Sequence, residues 1–139
     1  MAADYETVSD GLHEVLADIE SLAMVIEYEP LSAQSLPLLY SIFENYSRSV
    51  AGTVATTIYT TLHRLVLSRQ DPQQSEATLR SLVDAIPRAV EENPTLGRRV
   101  SDAQVRRGEG GYVTIGGVEF RSVDFHSEVE VTESLLGRR

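Results

Sequence analysis

The sequence predicts an α+β fold: an antiparallel or mixed β-sheet with a long hairpin, packed against two helices, in the order helix, strand, hairpin, helix, terminal β segment. Two stretches carry apolar residues at helical spacing, two long β-prone runs stand back to back across a few turn residues, and the carboxy-terminal third is β-rich. A chain of 139 residues is long enough for one hydrophobic core and short for two, so residues 1–139 are read as a single domain.

The first helix is placed within residues 1–22, where Val8, Leu12, Val15, Leu16, Ile19 and Leu22 recur at helical intervals with acidic side chains between them. Met24–Tyr28 is a short β-prone run stopped by Pro30, whose missing N–H ends ladder pairing. Leu38–Arg48, with Tyr40, Ile42, Phe43 and Tyr46, suits a long strand. Ser49–Gly52 supplies a turn, and Thr53–Leu67 follows as a Thr-rich, β-branched second strand. Together they predict an antiparallel hairpin reaching beyond the core, with Arg48 and Gly52 at its tip.

A second helix begins where Asp71 can cap, Pro72 suits the first helical position and Gln74 can close a capping box. Leu79, Leu82, Val83, Ile86 and Val90 mark its buried face, Pro87 predicts a kink or a second short helix, and Asn93, Pro94 and Gly97 end it. From Ala103 the chain is β-like, with Gly108–Gly111 and Gly116–Gly117 read as turns between Val105, Tyr112–Ile115 and Val118–Thr132. The apolar phase of the last run changes near Ser122, which predicts a bulge or bend, and residues 133–139 form a short tail.

A net charge of −9 works against general nucleic-acid binding, which depends on basic side chains neutralising phosphates. The acidic excess suits ordinary solubility or a salt-adapted source. With no cysteine, disulfides, thiolate metal sites and thiol nucleophiles are excluded. The uncharged run Pro30–Phe43 contains Pro37 and falls short of the roughly 20 apolar residues of a membrane helix. Asp4, Glu6 and Asp10 argue against a secretory signal.

His13, His63 and His126 are the only histidines, none at the i, i+4 spacing of a helical zinc site. His63 and His126 could share a metal with Asp124 or Glu128 if their strands were neighbours, but a strand histidine more often donates at a surface, so no metal is predicted. The Gly108–Gly111 cluster lacks the Lys-Ser/Thr ending of a phosphate loop, and no cofactor is predicted. No Gly-x-Ser-x-Gly elbow occurs, so no catalytic residue is assigned and the chain is read as a non-enzyme. Arg98-Arg99 and Arg106-Arg107 are surface charges or partners for an acidic neighbouring subunit.

The stretch Asp84-Ala85-Ile86-Pro87-Arg88-Ala89-Val90-Glu91-Glu92-Asn93-Pro94-Thr95-Leu96-Gly97 resembles the helix and following turn of siphovirus tail terminator and tail-completion proteins. Val105, Gly111-Tyr112, Gly116-Gly117, Phe120-Arg121 and Val129-Glu130-Val131 are similar to their closing β region, and His63-Arg64-Leu65-Val66-Leu67 running toward Asp71 fits the same pattern. The resemblance covers most of the chain from Met24. It implies a helix pair on a mixed or antiparallel sheet, assembled as a hexameric ring that ends tail-tube growth and joins tail to head.

The implied role is a structural virion protein of the tail or neck, assembled in the host cytoplasm. Its implied partners are further copies of itself, the tail tube protein and a head–tail connector or stopper protein. DNA would pass through the lumen without specific binding, and no membrane is involved. Expected interface residues are Arg48, Ser49, Gly52 and Thr53 at the hairpin tip, with Arg98, Arg99, Arg106 and Arg107. Expected lumenal residues are Glu109, Glu119, Asp124, Glu128 and Glu130, because like charge lets DNA slide. The alternatives are another neck component, such as a head-completion or stopper protein, and a small α+β ligand-binding or enzymatic domain, marked by a concave pocket with converging polar groups.

Overall fold

The computed structural model describes residues 3–136; residues 137–139 of the expected tail lie outside the described residues. The elements are α1 (Tyr5–Ala17), β1 (Met24–Ile26), β2 (Leu38–Ala51), β3 (Val54–Leu67), α2 (Pro72–Glu91), β4 (Asp102–Ile115) and β5 (Val118–Ser134). The strands form one five-stranded sheet in the order β1-β2-β3-β5-β4, parallel only between β1 and β2. The α+β class, the two helices and the long hairpin are all as the sequence predicts.

Asp4 caps α1, its Oδ1 accepting from the Thr7 amide at 2.9 Å and the Thr7 hydroxyl at 2.8 Å, which satisfies a donor without a partner inside the helix. Val8, Leu12 and Leu16 turn inward. The helix stops at Ala17, short of the predicted Leu22, because the Ile19 and Leu22 amides bond to Leu16 and Ile19 in tighter turns that aim the chain into β1. β1 ends at Ile26 instead of Tyr28, since its parallel partner is only Leu38–Tyr40.

β2 and β3 pair from Leu38↔Val66 to Ala51↔Val54, with a bulge between Phe43 and Asn45. The turn is Gly52-Thr53, shorter and later than Ser49–Gly52. Gly52 has φ +63, a left-handed conformation that a residue without Cβ adopts freely, so Ser49, Val50 and Ala51 stay in the ladder.

Asp71 caps α2 by accepting from the Gln74 amide at 3.1 Å. The Gln74 side chain reaches forward to Thr78 Oγ1 at 3.4 Å, so the predicted capping box is not closed. The helix runs unbroken through Pro87, where a kink or restart was expected. Pro87 forfeits one backbone bond, but Ile86 and Val90 are both fully buried and hold the helix to the core across that gap. Val83 departs from the predicted buried face and is 38% exposed.

Gly108–Gly111 is a further correction, for these residues lie inside β4 and pair one for one with Phe125–Ser122. Only Gly116-Gly117 turns the chain. No bulge lies at Ser122 either; β5 pairs with β3 without a break, and the bulge sits in β4 between Val105 and Arg107. The change of apolar phase has another cause. Val123, Phe125, Val129 and Val131 pack under the helices, whereas Phe120 joins Leu38, Tyr40, Val66 and Ile115 on the opposite face. The sheet thus carries two apolar layers, the second covered near its base by Ala33 and Leu36 from the β1–β2 connection.

Candidate assembly surfaces

The hairpin arm leaves the core at Phe43. From Phe43 to Val54 every residue is exposed, including Phe43, Tyr46, Val50 and Val54. At its base an aromatic cluster braces the arm, Tyr5 meeting the Phe43 ring at 4.9 Å and the Tyr59 ring at 5.4 Å, with Tyr46 to Tyr59 at 6.3 Å. The Tyr5 hydroxyl is hydrogen-bonded to Thr61 Oγ1 at 3.0 Å, and burial raises its pKa. Of the expected interface residues, Arg48, Ser49, Gly52 and Thr53 are all on this arm. Arg48 reaches Glu133 of β5 at 3.3 Å, and the Thr53 carbonyl accepts from the Leu135 amide at 2.7 Å, so β5 accompanies the arm to its tip.

The two arginine pairs fare differently. Arg99 binds Glu14 of α1 through two bonds of 2.9 Å, which lowers the Glu14 pKa and ties the turn after α2 to the first helix. That turn places Leu96, Gly97 and Arg98 successively at positive φ, with Leu96 buried against Gly11, where a Cβ would stand 3.0 Å from Leu96 Cβ. Arg99 is therefore an internal strut, while Arg98 is exposed. Arg106 and Arg107 sit at the β4 bulge, 3.2 Å from Glu128 and 3.5 Å from Glu109, and are 58% and 62% exposed.

Residues directly opposite in a ladder share a face. By that rule Glu109, Asp124, Glu128 and Glu130 all project from the face without helices, together with Asp102. Glu119 does not; it lies on the helix side, paired with Arg69, and leaves the expected lumenal group. Asp124 is also committed, accepting from Arg64 Nε at 2.6 Å and Nη2 at 2.9 Å, while Arg64 Nη1 donates to the Tyr40 hydroxyl at 3.1 Å. These bonds raise the Arg64 pKa further.

His63 and His126 do occupy neighbouring strands, but His63 lies opposite Phe125 and His126 opposite Leu62. Their rings point to opposite faces, which prevents them from sharing a metal. His126 is hydrogen-bonded to Glu44 Oε1 at 2.8 Å. His63 is bonded through Nδ1 to Ser41 Oγ at 2.6 Å and through Nε2 to Ser127 Oγ at 2.8 Å, linking three strands. A serine beside a histidine can be a nucleophile and its base. Here His63 and Ser127 have no exposure, so the contact acts as a bolt across the sheet. Sequence alternation alone cannot separate a bolt from a site.

One feature went unread in the sequence although a signal was present. Gly108 and Gly110, two apart on one strand face, leave a groove of about 400 Å³ between α2 and the β4–β5 pair, lined by Leu79, Val83, Pro87, Val105 and Phe125. A Cβ at Gly108 would touch the Phe125 ring at 3.5 Å, and one at Gly110 would crowd the Arg121 guanidinium at 3.2 Å. Arg121, the polar group nearest the glycines, is already spent on Glu76, the Gly111 carbonyl and the Ser122 carbonyl. The groove is apolar with a cationic rim.

Compared with known proteins, the chain matches no family model and no curated protein sequence.

Proposed function

We propose that this protein is a non-enzymatic structural protein of a tailed virus, a tail terminator that forms a ring on the tail tube, ends tube polymerisation and joins the tail to the head connector. The observation that carries this reading is the exposed arm, which holds Phe43, Tyr46, Val50 and Val54 in solvent beyond the helix-covered layer. Apolar groups concentrated on a projecting element mark a surface that another protein covers. A helix pair on a mixed sheet with a long hairpin is also the architecture that the resemblance to siphovirus terminators implies, which supports the same reading.

The face without helices adds a second support. Asp102, Glu109, Glu128 and Glu130 outnumber Arg106 and Arg107, which pair with Glu128 and Glu109, and this acidic excess repels phosphate, so a ring with this face inward lets DNA slide through without gripping it. Virion location follows from this role. Among the described residues no helix is long and apolar enough to cross a membrane. A stopper or head-completion protein, one ring nearer the capsid, is the neighbouring reading and differs in its partner.

The test is polymerisation of the cognate tail tube protein with and without this chain. Addition is expected to arrest tube growth and to leave rings visible at tube ends by negative stain. An unchanged distribution of tube lengths at saturating protein overturns the terminator reading.

A further inference from the structure

We infer that copies of this chain join edge to edge, the outer edge of β4 in one copy pairing antiparallel with the outer edge of β2 in the next, so that the sheet continues across the interface. The inference rests on the ring proposed above and adds which strands build it.

Among the described residues both edges are open. β4 pairs only with β5, and β1 covers β2 only at Leu38–Tyr40, which leaves Ser41–Ala51 paired on one side. Such rows of unpaired N–H and C=O groups are templates for a further strand. The ladder registers then set the height of each edge. Phe43 lies level with Val105 through Thr61 and Ser127, Asn45 with Gln104 through Thr60 and Glu128, and Ser47 with Asp102 through Ile58 and Glu130. Ser41–Ser47 of β2 therefore stand at the height of Asp102–Gly108 of β4, and Arg48–Ala51 reach beyond it.

Direction agrees as well. Three successive antiparallel pairings separate β2 from β4, so the two run in opposite senses. A copy moved sideways by one sheet width, neither inverted nor shifted along the strands, meets its neighbour antiparallel and in step. Rotation about an axis along the strands makes that movement, and absence of axial shift is what closes a ring instead of opening a filament.

The side chains fit the same placement. Phe43, 49% exposed, comes beside Val105 at the mouth of the apolar groove, where Gly108 carries no side chain to obstruct it. On the other face Glu44, bonded to His126 in its own copy, and the bulge that displays Arg106 and Arg107 flank the Phe43–Val105 level on its two sides, so the two edges bring opposite charges within about one residue step of each other. Bulges discourage indiscriminate edge pairing. Here one lies on each edge, on opposite sides of the Phe43–Val105 level, which restricts pairing to a strand with that spacing.

The chain has no cysteine, so Asn45→Cys combined with Gln104→Cys reports on this contact alone. Within one copy the two positions are separated by three strand spacings of about 4.8 Å, beyond the roughly 4.4–6.8 Å between Cα atoms of a disulfide. Mild oxidation of the double variant is expected to give a ladder of cross-linked chains ending at the ring size, and each single variant none. Ser49→Cys with Gln104→Cys, out of register by about 13 Å, is expected to cross-link at about a tenth of that yield or less. A ring mass without the 45–104 cross-link overturns the edge pairing and leaves the ring standing. A ladder without a ceiling keeps the edge pairing and overturns the ring. Equal yields from the two pairs overturn the register, and monomers alone overturn both readings.

Discussion

At the residue scale the most consequential side chain is His63. Its imidazole is wholly buried between Ser41 and Ser127, and burial, with a smaller push from His126, lowers its pKa to about 4. The unfolded chain protonates near the ordinary value of about 6.5. Between the two values the unfolded state binds a proton that the folded state refuses, so stability is full above about pH 6.5 and falls toward pH 4, by on the order of 3 kcal/mol. His63→Gln keeps hydrogen-bonding groups but does not titrate. Urea midpoints of the native chain are expected to drop more steeply than those of the variant between about pH 6.5 and 4. Parallel profiles would show that His63 contributes nothing to acid sensitivity. The carboxylates titrate in both proteins, so the difference isolates the histidine.

At the scale of elements, α2 shows packing overriding local preference. Proline in a helix interior costs about 3 kcal/mol relative to alanine, yet α2 continues past Pro87 because the residues around it are anchored in the core. Pro87→Ala returns an amide donor to the Val83 carbonyl. Thermal melts of this variant are expected to show stabilisation of about 1–3 kcal/mol, and a lower melting temperature would mean that the proline ring matters more to the groove than to the helix. β4 makes the complementary point. Its Gly-Glu-Gly-Gly stretch satisfies a turn or a strand equally well in isolation, and thirteen residue pairs with β5 decide for the strand.

At the scale of the molecule, charge is divided by the sheet. The helix side spends its Arg99, Arg121 and Arg69 on Glu14, Glu76 and Glu119. The other side holds Asp102, Glu109, Glu128 and Glu130 against Arg106 and Arg107, an acidic excess along the two strands farthest from β1. In the proposed ring this is the surface that meets DNA. Glu109→Lys together with Glu130→Lys is expected to slow genome ejection several-fold and to make it salt-dependent, because the new cations hold phosphates. Particles carrying both substitutions and ejecting at the native rate would remove this face from the DNA path. Asp124 is left intact in that test, since removing it strands the Arg64 guanidinium on a half-buried surface.

The sequence by itself determined the features whose causes act within a few residues. The Asp71 cap, the inward positions Val8, Leu12 and Leu16 of α1, and the β-branched run of β3 follow from capping chemistry, helical spacing and local stiffness. Of the candidate assembly surfaces, the exposed hairpin arm that carries Arg48, Ser49, Gly52 and Thr53 was legible in this way. Tertiary structure alone decided the rest: glycines inside β4, two apolar layers served by β5, His63 inside and His126 across the sheet from it, and Glu119 parted from the other acids. The reason is parity. Which face a strand residue takes depends on its partner far along the chain, and a bulge such as those at Phe43/Asn45 and Val105/Arg107 shifts every residue beyond it relative to that partner. No local signal encodes that partner, so facing, depth and the match between the two open edges exist only once the sheet has formed.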